Sequence, residues 1–314
     1  MLFDKVQNGS EELNSLTGQW FASTPFYLIR TEIDFAAQEL GSVVGSEVVE
    51  AAEKAYLGGT DPDFVDAVRL PVAFRAIARY AQLSGVSHEG TGRKVKMDDN
   101  EKMPFEWMID RDDRAMLDRY YRALDSLFRF LEKKQTASWL SSPVRDLVGR
   151  CIVRNLNEFE RFYPVDGSQY AWHLFVPLIV DAQENVVEPF VGAEIWERIL
   201  SADGSDDATA LRLSSRAALL AVLIALVTAA RRWSLDILPL SVARRFSPSY
   251  QGNRESRAAE TKEIDWFIDK TNAQIAQVKD DLKKLAGTAG EACLLPENDP
   301  ANKFATEVLS GKEN

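Results

Sequence analysis

Two histidines are the residues best suited to acid–base chemistry, and their surroundings argue against catalysis. His88 lies beside Glu89 in a glycine-rich segment, where an imidazole next to a carboxylate has the composition of a general base. No nucleophile accompanies this pair in the sequence, so a loop contact or a solvated histidine is favoured. His173 falls on the apolar stripe of a predicted helix. This position favours a packed histidine over a metal ligand or a base.

The glycine-rich segment 84–97 resembles a phosphate-binding loop only superficially. Such a loop needs Gly-Lys followed by Ser or Thr, whereas Gly90 is followed by Thr91 and Gly92. The acidic clusters at 98–101 and 110–113 are typical of solvated turns and helix starts rather than of metal ligands. We therefore predict a protein without enzymatic activity, cofactor or metal.

Cysteine usage and composition narrow the class of protein further. Cys151 and Cys293 are the only cysteines and lie far apart, which favours a reducing compartment over a disulfide framework or a metal site. The net charge of −11 argues against a protein that grips nucleic acid through a basic face. The N-terminus lacks the basic and apolar layout of a secretory signal. The apolar run 217–230 is shorter than the roughly 20 residues that span a bilayer, so we predict a buried core helix.

The elements that carry these residues occur twice along the chain. An offset of 147 positions aligns segment 43–50 with segment 190–197, and the same register brings Arg69 onto Arg216. An offset of 159 then aligns 106–111 with 265–270, which pairs Trp107 with Trp266. An insertion of 12 residues in the second copy accounts for the change. The two tryptophans are expected to anchor the cores of two related helical units.

Apolar periodicity predicts the helices of each copy. Spacings of three and four residues predict an amphipathic helix over 26–40 that ends at Gly41, and a final helix over 117–131 of the first copy. The fold class predicted is mainly α, with two tandem, similar helical-bundle domains and a short β-hairpin or extended arm in each. We place the first domain at 1–140, a linker at 141–150, the second domain at 151–286 and a C-terminal tail at 287–314.

The two arms are the best candidates for interaction with another molecule. They lie between the third and last helices of each copy, carry basic residues and contain few apolar residues to bury. On an acidic protein, a basic projection suits an acidic neighbour, including another copy of the same chain. The candidate interaction residues are His88, Glu89, Arg93, Lys94, Lys96, Arg244 and Arg245.

Several segments together resemble a known group of proteins. In the second copy they are 158–168, 176–179 and 188–194; in the first they are 79–80, 85–88, 91–95, 105–107 and 124–132. They are similar to an uncharacterised family encoded among the structural genes of tailed phages and prophages. Each half, in the order of its elements, also resembles the helical adaptor module of head–tail connectors, although the usual adaptor has one module rather than two.

The resemblance implies a structural function in the virion. An adaptor of this kind assembles with copies of itself into a ring at the portal vertex, contacts portal and other neck or tail proteins, and lets DNA pass through its lumen without sequence recognition. Its location would be the virion neck, after assembly in the host cytoplasm, with no membrane contact. Two alternatives stay open: a bacterial helical scaffold that binds a protein partner, and an enzyme acting at a cleft between the two domains.

Overall fold

The computed structural model describes residues 1–84, 87–89, 92–94, 105–202, 207–232 and 261–288, and the fold is mainly α-helical. The mainly α prediction is therefore confirmed. The chain divides into two compact units, residues 1–146 (unit 1) and residues 147–314 (unit 2).

Unit 1 is built from six helices and a pair of short strands within the described residues. A 3-10 turn at Phe26–Leu28 precedes the second helix. The elements are α1 (Gly9–Thr17), α2 (Arg30–Val44), α3 (Ser46–Gly58), α4 (Pro62–Ser84), β1 (Ser87–Glu89), β2 (Gly92–Lys94), α5 (Glu106–Lys134) and α6 (Ala137–Leu140). Helix α4 packs against α1, α2, α3 and α5, so it forms the centre of the unit.

The corner between α2 and α3 is set by a glycine conformation. Gly41, expected to end the helix, lies inside α2, which continues to Val44. Gly45 ends it with φ 100° and ψ 136°, a backbone region that residues with a Cβ rarely adopt. A Cβ at this position would lie 2.8 Å from the Cβ of Ser142. The helix therefore ends where the backbone must turn under a close neighbour.

Helix α5 supplies the most regular apolar stripe of unit 1. Its side chains at Leu124, Leu127, Phe128 and Leu131 are fully buried, at spacings of three and four residues. Lys133 and Lys134 occupy its last turn, where positive charge is favourable near the helix C-terminus. The helix predicted over 117–131 is confirmed, and it is longer at both ends.

The predicted linker at 141–150 is largely helical. Helix α7 (Pro143–Arg150) begins there because the Ser142 hydroxyl accepts a hydrogen bond from the Arg145 N–H at 3.2 Å, which caps its first turn. Proline at the first position of a helix loses no hydrogen bond. The serines and proline that mark a join in the sequence thus mark a helix start in the fold.

Unit 2 continues from α7 with further helices. They are α8 (Leu156–Phe162), α9 (Gln169–Ala182), a π-helical turn (Gln183–Val187), α10 (Glu188–Val191), α11 (Ala193–Leu200), α12 (Ala208–Arg232) and α13 (Thr261–Thr288). The π-helical turn ends two residues before Pro189, which has no N–H to donate to the carbonyl of Asn185 and whose ring crowds that carbonyl. The proline therefore explains the local widening of the helix.

Helix α12 forms the core of unit 2. Its residues from Leu220 to Val227 are all buried, and α9, α11 and α13 pack around it. A helix that is apolar on every side must be enclosed by others, as the sequence predicts for a core helix over 217–230. Among the helices that the structure describes, α12 is the one long and apolar enough to cross a membrane; its most apolar window has a mean hydropathy of 2.0 and is 67% buried.

Candidate interaction surfaces

The arm of unit 1 contains a short antiparallel pair of strands. In its register Ser87 pairs with Lys94, His88 with Arg93, and Glu89 with Gly92. This pairing brings four of the predicted interaction residues onto two neighbouring strands, with the basic ones on β2. The other three predicted residues, Lys96, Arg244 and Arg245, lie outside the described residues.

The remaining candidates for chemistry lie in apolar surroundings. His173 is buried, and its ring centroid is 4.6 Å from that of Trp172. Cys151 is buried in the core of unit 2, and this burial raises the pKa of its thiol to about 12. A thiol with so high a pKa forms little reactive thiolate near neutral pH. No group of three or more potential metal ligands occurs within the residues that the structure describes.

A polar network centred on Arg69 ties together three helices of unit 1. The guanidinium of Arg69, on α4, forms an ion pair with Glu12 on α1 and a weaker one with Asp66 at 3.3 Å. The hydroxyl of Tyr56, on α3, donates to the Glu12 carboxylate at 2.8 Å. The guanidinium also lies 4.3 Å from the centroid of the Phe3 ring. Both members of the Arg69–Glu12 pair are largely buried, so the network fixes the N-terminal segment on the bundle.

The same network lines a shallow polar pocket. The pocket has a volume of about 370 Å³ and is lined by Asn8, Glu11, Glu12, Ser15, Leu16, Asp66 and Arg69. Its one cationic group is already paired with two of the carboxylates. These ion pairs hold α1 and α4 together and so stabilise the fold of unit 1. Sequence reasoning recognised Arg69 only as the counterpart of Arg216, because its partners lie up to 57 positions away.

Two tyrosines, one of them buried, accompany the ion pairs of this unit. Tyr120 of α5 lies under the guanidinium of Arg75, which is 5.3 Å from the ring centroid and pairs with Glu39 of α2 at 3.0 Å. Burial raises the pKa of Tyr120 to about 12, and burial likewise raises the pKa of Tyr56 to about 12. Both hydroxyls therefore keep their protons well above neutral pH.

The two tryptophans at equivalent positions do not anchor cores. Trp107 is 52% exposed and Trp266 is 59% exposed, so that prediction is wrong. In unit 1 the reason is the length of α5 relative to its neighbour. The last turn of α4 meets α5 at Asp113, whose carboxylate accepts a hydrogen bond from the Gln82 amide at 3.3 Å. Trp107 lies nearly two turns before this contact, beyond the end of α4.

Further large apolar side chains surround Trp107 on the first turns of α5. We call residues 105–112 the α5 tip; its exposed apolar members are Phe105, Trp107, Met108 and Ile109, at 68%, 52%, 41% and 44%. At the corresponding start of α13, by contrast, Ile264 and Phe267 pack against the core of unit 2 and Ile268 is buried. Among the described residues, the start of α13 thus exposes Trp266 but covers the other apolar positions that match the α5 tip.

Comparison of the chain with protein-family models, with curated proteins and with solved structures finds no match.

Proposed function

We propose that this chain is a virion structural protein, a head–tail connector or adaptor subunit that assembles into a ring at the portal vertex of a tailed phage. The observation that carries the proposal is the repetition of one helical unit within the chain. A duplicated bundle acts through the surfaces it presents. Ring-shaped assemblies form when one surface of each copy meets a different surface of the next.

The order of the elements supports a duplication. Gly45 and Gly192 lie 147 positions apart and both have positive φ, 100° and 82°, with extended ψ, 136° and 156°. A short helix follows each glycine, and a long core helix follows next: Pro62–Ser84 in unit 1 and Ala208–Arg232 in unit 2. Two glycines at equivalent positions that share this rare backbone conformation are difficult to explain by chance, because few residues adopt it.

The pattern of burial follows the same offset. Val44 and Val191, which precede the two glycines, are both buried, as are Ile77 and Ile224 on the long core helices. Since the same positions face the interior, the two units are best understood as diverged copies of one bundle, each with an arm between its third and last main helices. The arm of unit 2 lies outside the described residues.

Ring formation requires two different surfaces on each subunit, one meeting the other on the next copy. The basic arms are one such surface on a chain whose net charge is −11. The same acidic balance suits a lumen through which DNA passes without being held. The partners in this proposal are further copies of the chain, the portal, and neck or tail proteins, with assembly in the host cytoplasm and a final place in the virion.

The proposal is tested by measuring the mass of the full chain over a wide concentration range and imaging the largest species by negative-stain electron microscopy. We expect closed rings of uniform diameter. A chain that remains a monomer, and that still forms no ring when mixed with the portal encoded beside it, would refute the adaptor function. In that case a scaffold that binds one protein partner becomes the better explanation. Coding sequences for portal, capsid and terminase on either side of this one are a second expected result.

A further inference from the structure

The outer side of α2 carries large apolar side chains that are exposed. Helix α2 packs on α3 and α4 through its buried stripe. On the side turned away from that stripe, Phe35 is 48% exposed, and Tyr27 and Leu28 in the 3-10 turn that leads into α2 are 73% and 43% exposed. We call this surface the α2 face; its members, all exposed, are Tyr27, Leu28, Arg30, Thr31, Asp34, Phe35 and Gln38.

The apolar side chains of the α2 face are arranged to receive another helix. Leu28 and Phe35 are seven residues apart, so they lie on the same flank of the helix, about two turns from each other. The small side chain of Thr31 lies between them, where a second helix can approach to the packing distance of about 8–10 Å. Together with Tyr27 they expose on the order of 300 Å² of apolar surface, about the size of the largest patch on a typical monomer.

Charge on the α2 face indicates what covers it. Arg30 and Asp34 are exposed on its other flank, about one turn apart, and within the described part of the chain neither forms an ion pair. Glu32 points to the opposite side of the helix from this pair, and Glu39 is already paired with Arg75 of α4. A face that carries one charge of each sign at this spacing is complementary to an antiparallel copy of itself.

A two-fold axis close to Thr31 aligns the apolar and the charged residues together. In an antiparallel pair of helices, residues at equal distances on either side of the axis face each other, and each flank meets the same flank of the other copy. Leu28 of one copy then meets Phe35 of the other, and Arg30 meets Asp34, with each contact formed twice. Two-fold dimers are also the commonest soluble oligomers.

We infer that the α2 face is the contact of a two-fold dimer of this chain. The apolar side chains form its centre, and the ion pairs at its rim fix the antiparallel orientation. The apolar area lies below the roughly 800 Å² that each partner buries in a standard interface, so the dimer is weak and depends on concentration. The inference is independent of the proposed ring, because a two-fold contact joins two chains whether they are free or belong to two rings.

A charge exchange in the full-length chain tests this contact. Arg30→Glu places a carboxylate opposite Asp34, and Asp34→Arg places a guanidinium opposite Arg30. Each single variant is expected to weaken dimerisation on the order of 30-fold in sedimentation velocity over a concentration range. The variant with both changes again has opposite charges at each pair, and so has an equimolar mixture of the two single variants. Both are therefore expected to dimerise as the wild type does.

A pair of leucine substitutions tests the apolar centre. Leu28→Ala is expected to weaken dimerisation on the order of 30-fold, because a symmetric dimer loses the contact twice. Its control, Leu140→Ala, shortens a leucine that is 51% exposed on α6 and is expected to leave dimerisation unchanged. Circular dichroism of every variant should match the wild type, because the changed side chains are exposed.

The outcomes separate this inference from the proposed function. Single charge variants that dimerise as strongly as the wild type overturn the inference, and so does a wild-type chain that shows no dimer or paired ring. Single variants that dissociate and are not rescued by the double variant also overturn it, because positions 30 and 34 then do not meet between copies. Rings that do not pair through α2 overturn the inference and leave the proposed function standing. A dimer that obeys the charge exchange and forms no ring supports the inference and counts against the ring.

Discussion

Replacing Gly45 with alanine should destabilise unit 1 more than replacing a glycine at which an added Cβ would have space. A residue with a Cβ at φ 100° and ψ 136° carries backbone strain on the order of 1–3 kcal/mol. The new Cβ would also lie 2.8 Å from the Cβ of Ser142, which must move, and overpacking of this kind costs about 1–3 kcal/mol. Together these effects predict a loss of about 2–6 kcal/mol.

The chain offers a matched control for this substitution. Gly149 lies in α7, and an added Cβ there would have no neighbour within 4 Å. Gly149→Ala should be neutral or should stabilise the chain by up to about 1 kcal/mol, because alanine has less freedom to lose on folding. Gly192→Ala should reproduce the backbone strain in unit 2, since Gly192 has φ 82°.

Hydrogen exchange followed by mass spectrometry assigns the effect to a unit. In Gly45→Ala, peptides from α2 and α3 should exchange between about 30-fold and about 20,000-fold faster, while peptides from α11 and α12 keep wild-type rates. Gly192→Ala should give the reverse distribution. Equal protection of α2 and α3 in the Gly45→Ala and Gly149→Ala chains would refute the argument from backbone conformation.

Three further substitutions test the polar networks and the cores. Arg69→Ala leaves the largely buried Glu12 carboxylate without its cationic partner, so unit 1 should lose about 3–5 kcal/mol in urea unfolding; a loss below about 1 kcal/mol would show that the pair is solvated. Because the folded chain keeps the Tyr120 proton up to a pKa of about 12, whereas a tyrosine in the unfolded chain releases it near pH 10, the free energy of unfolding should fall as the pH rises from about 10 to about 12. Tyr120→Phe should flatten that fall, and an unchanged slope would contradict the assigned cause. Leu220→Ala should cost unit 2 about 2–5 kcal/mol, whereas Leu211→Ala, on the exposed side of α12, should cost under about 1 kcal/mol; equal losses would contradict the burial of the two side chains.

Periodicity predicted the long helices because their packing repeats with the helix turn. The stripe of α5 through Leu124 and Leu131 and the continuous apolar run of α12 are both visible in the sequence without any knowledge of their neighbours. The end of α2 was placed four residues early, at Gly41, because composition does not distinguish a glycine inside a helix from one that needs positive φ. Gly45 meets that need, and its φ depends on the turn into α3.

The surfaces were harder to predict than the cores. Trp107 and Trp266 share a position and a residue type that favour burial, but whether a tryptophan is covered depends on how far the adjacent helix extends, which is a property of tertiary structure. The network around Arg69 joins residues 44 to 57 positions apart in no periodic pattern. The arm residues on β1 and β2 were identified from turn composition and charge, both of which are local.

The enclosure of α12 has a consequence for how this chain is made. Its cover, α13, ends at Thr288, 56 residues after α12 ends at Arg232, and a ribosome adds about 5–20 residues per second. For roughly 3–11 seconds of synthesis, α12 has been made but α13, one of the helices that pack around it, is incomplete. A nascent chain stalled in this interval would expose apolar side chains of α12, which a chaperone would have to cover to prevent aggregation.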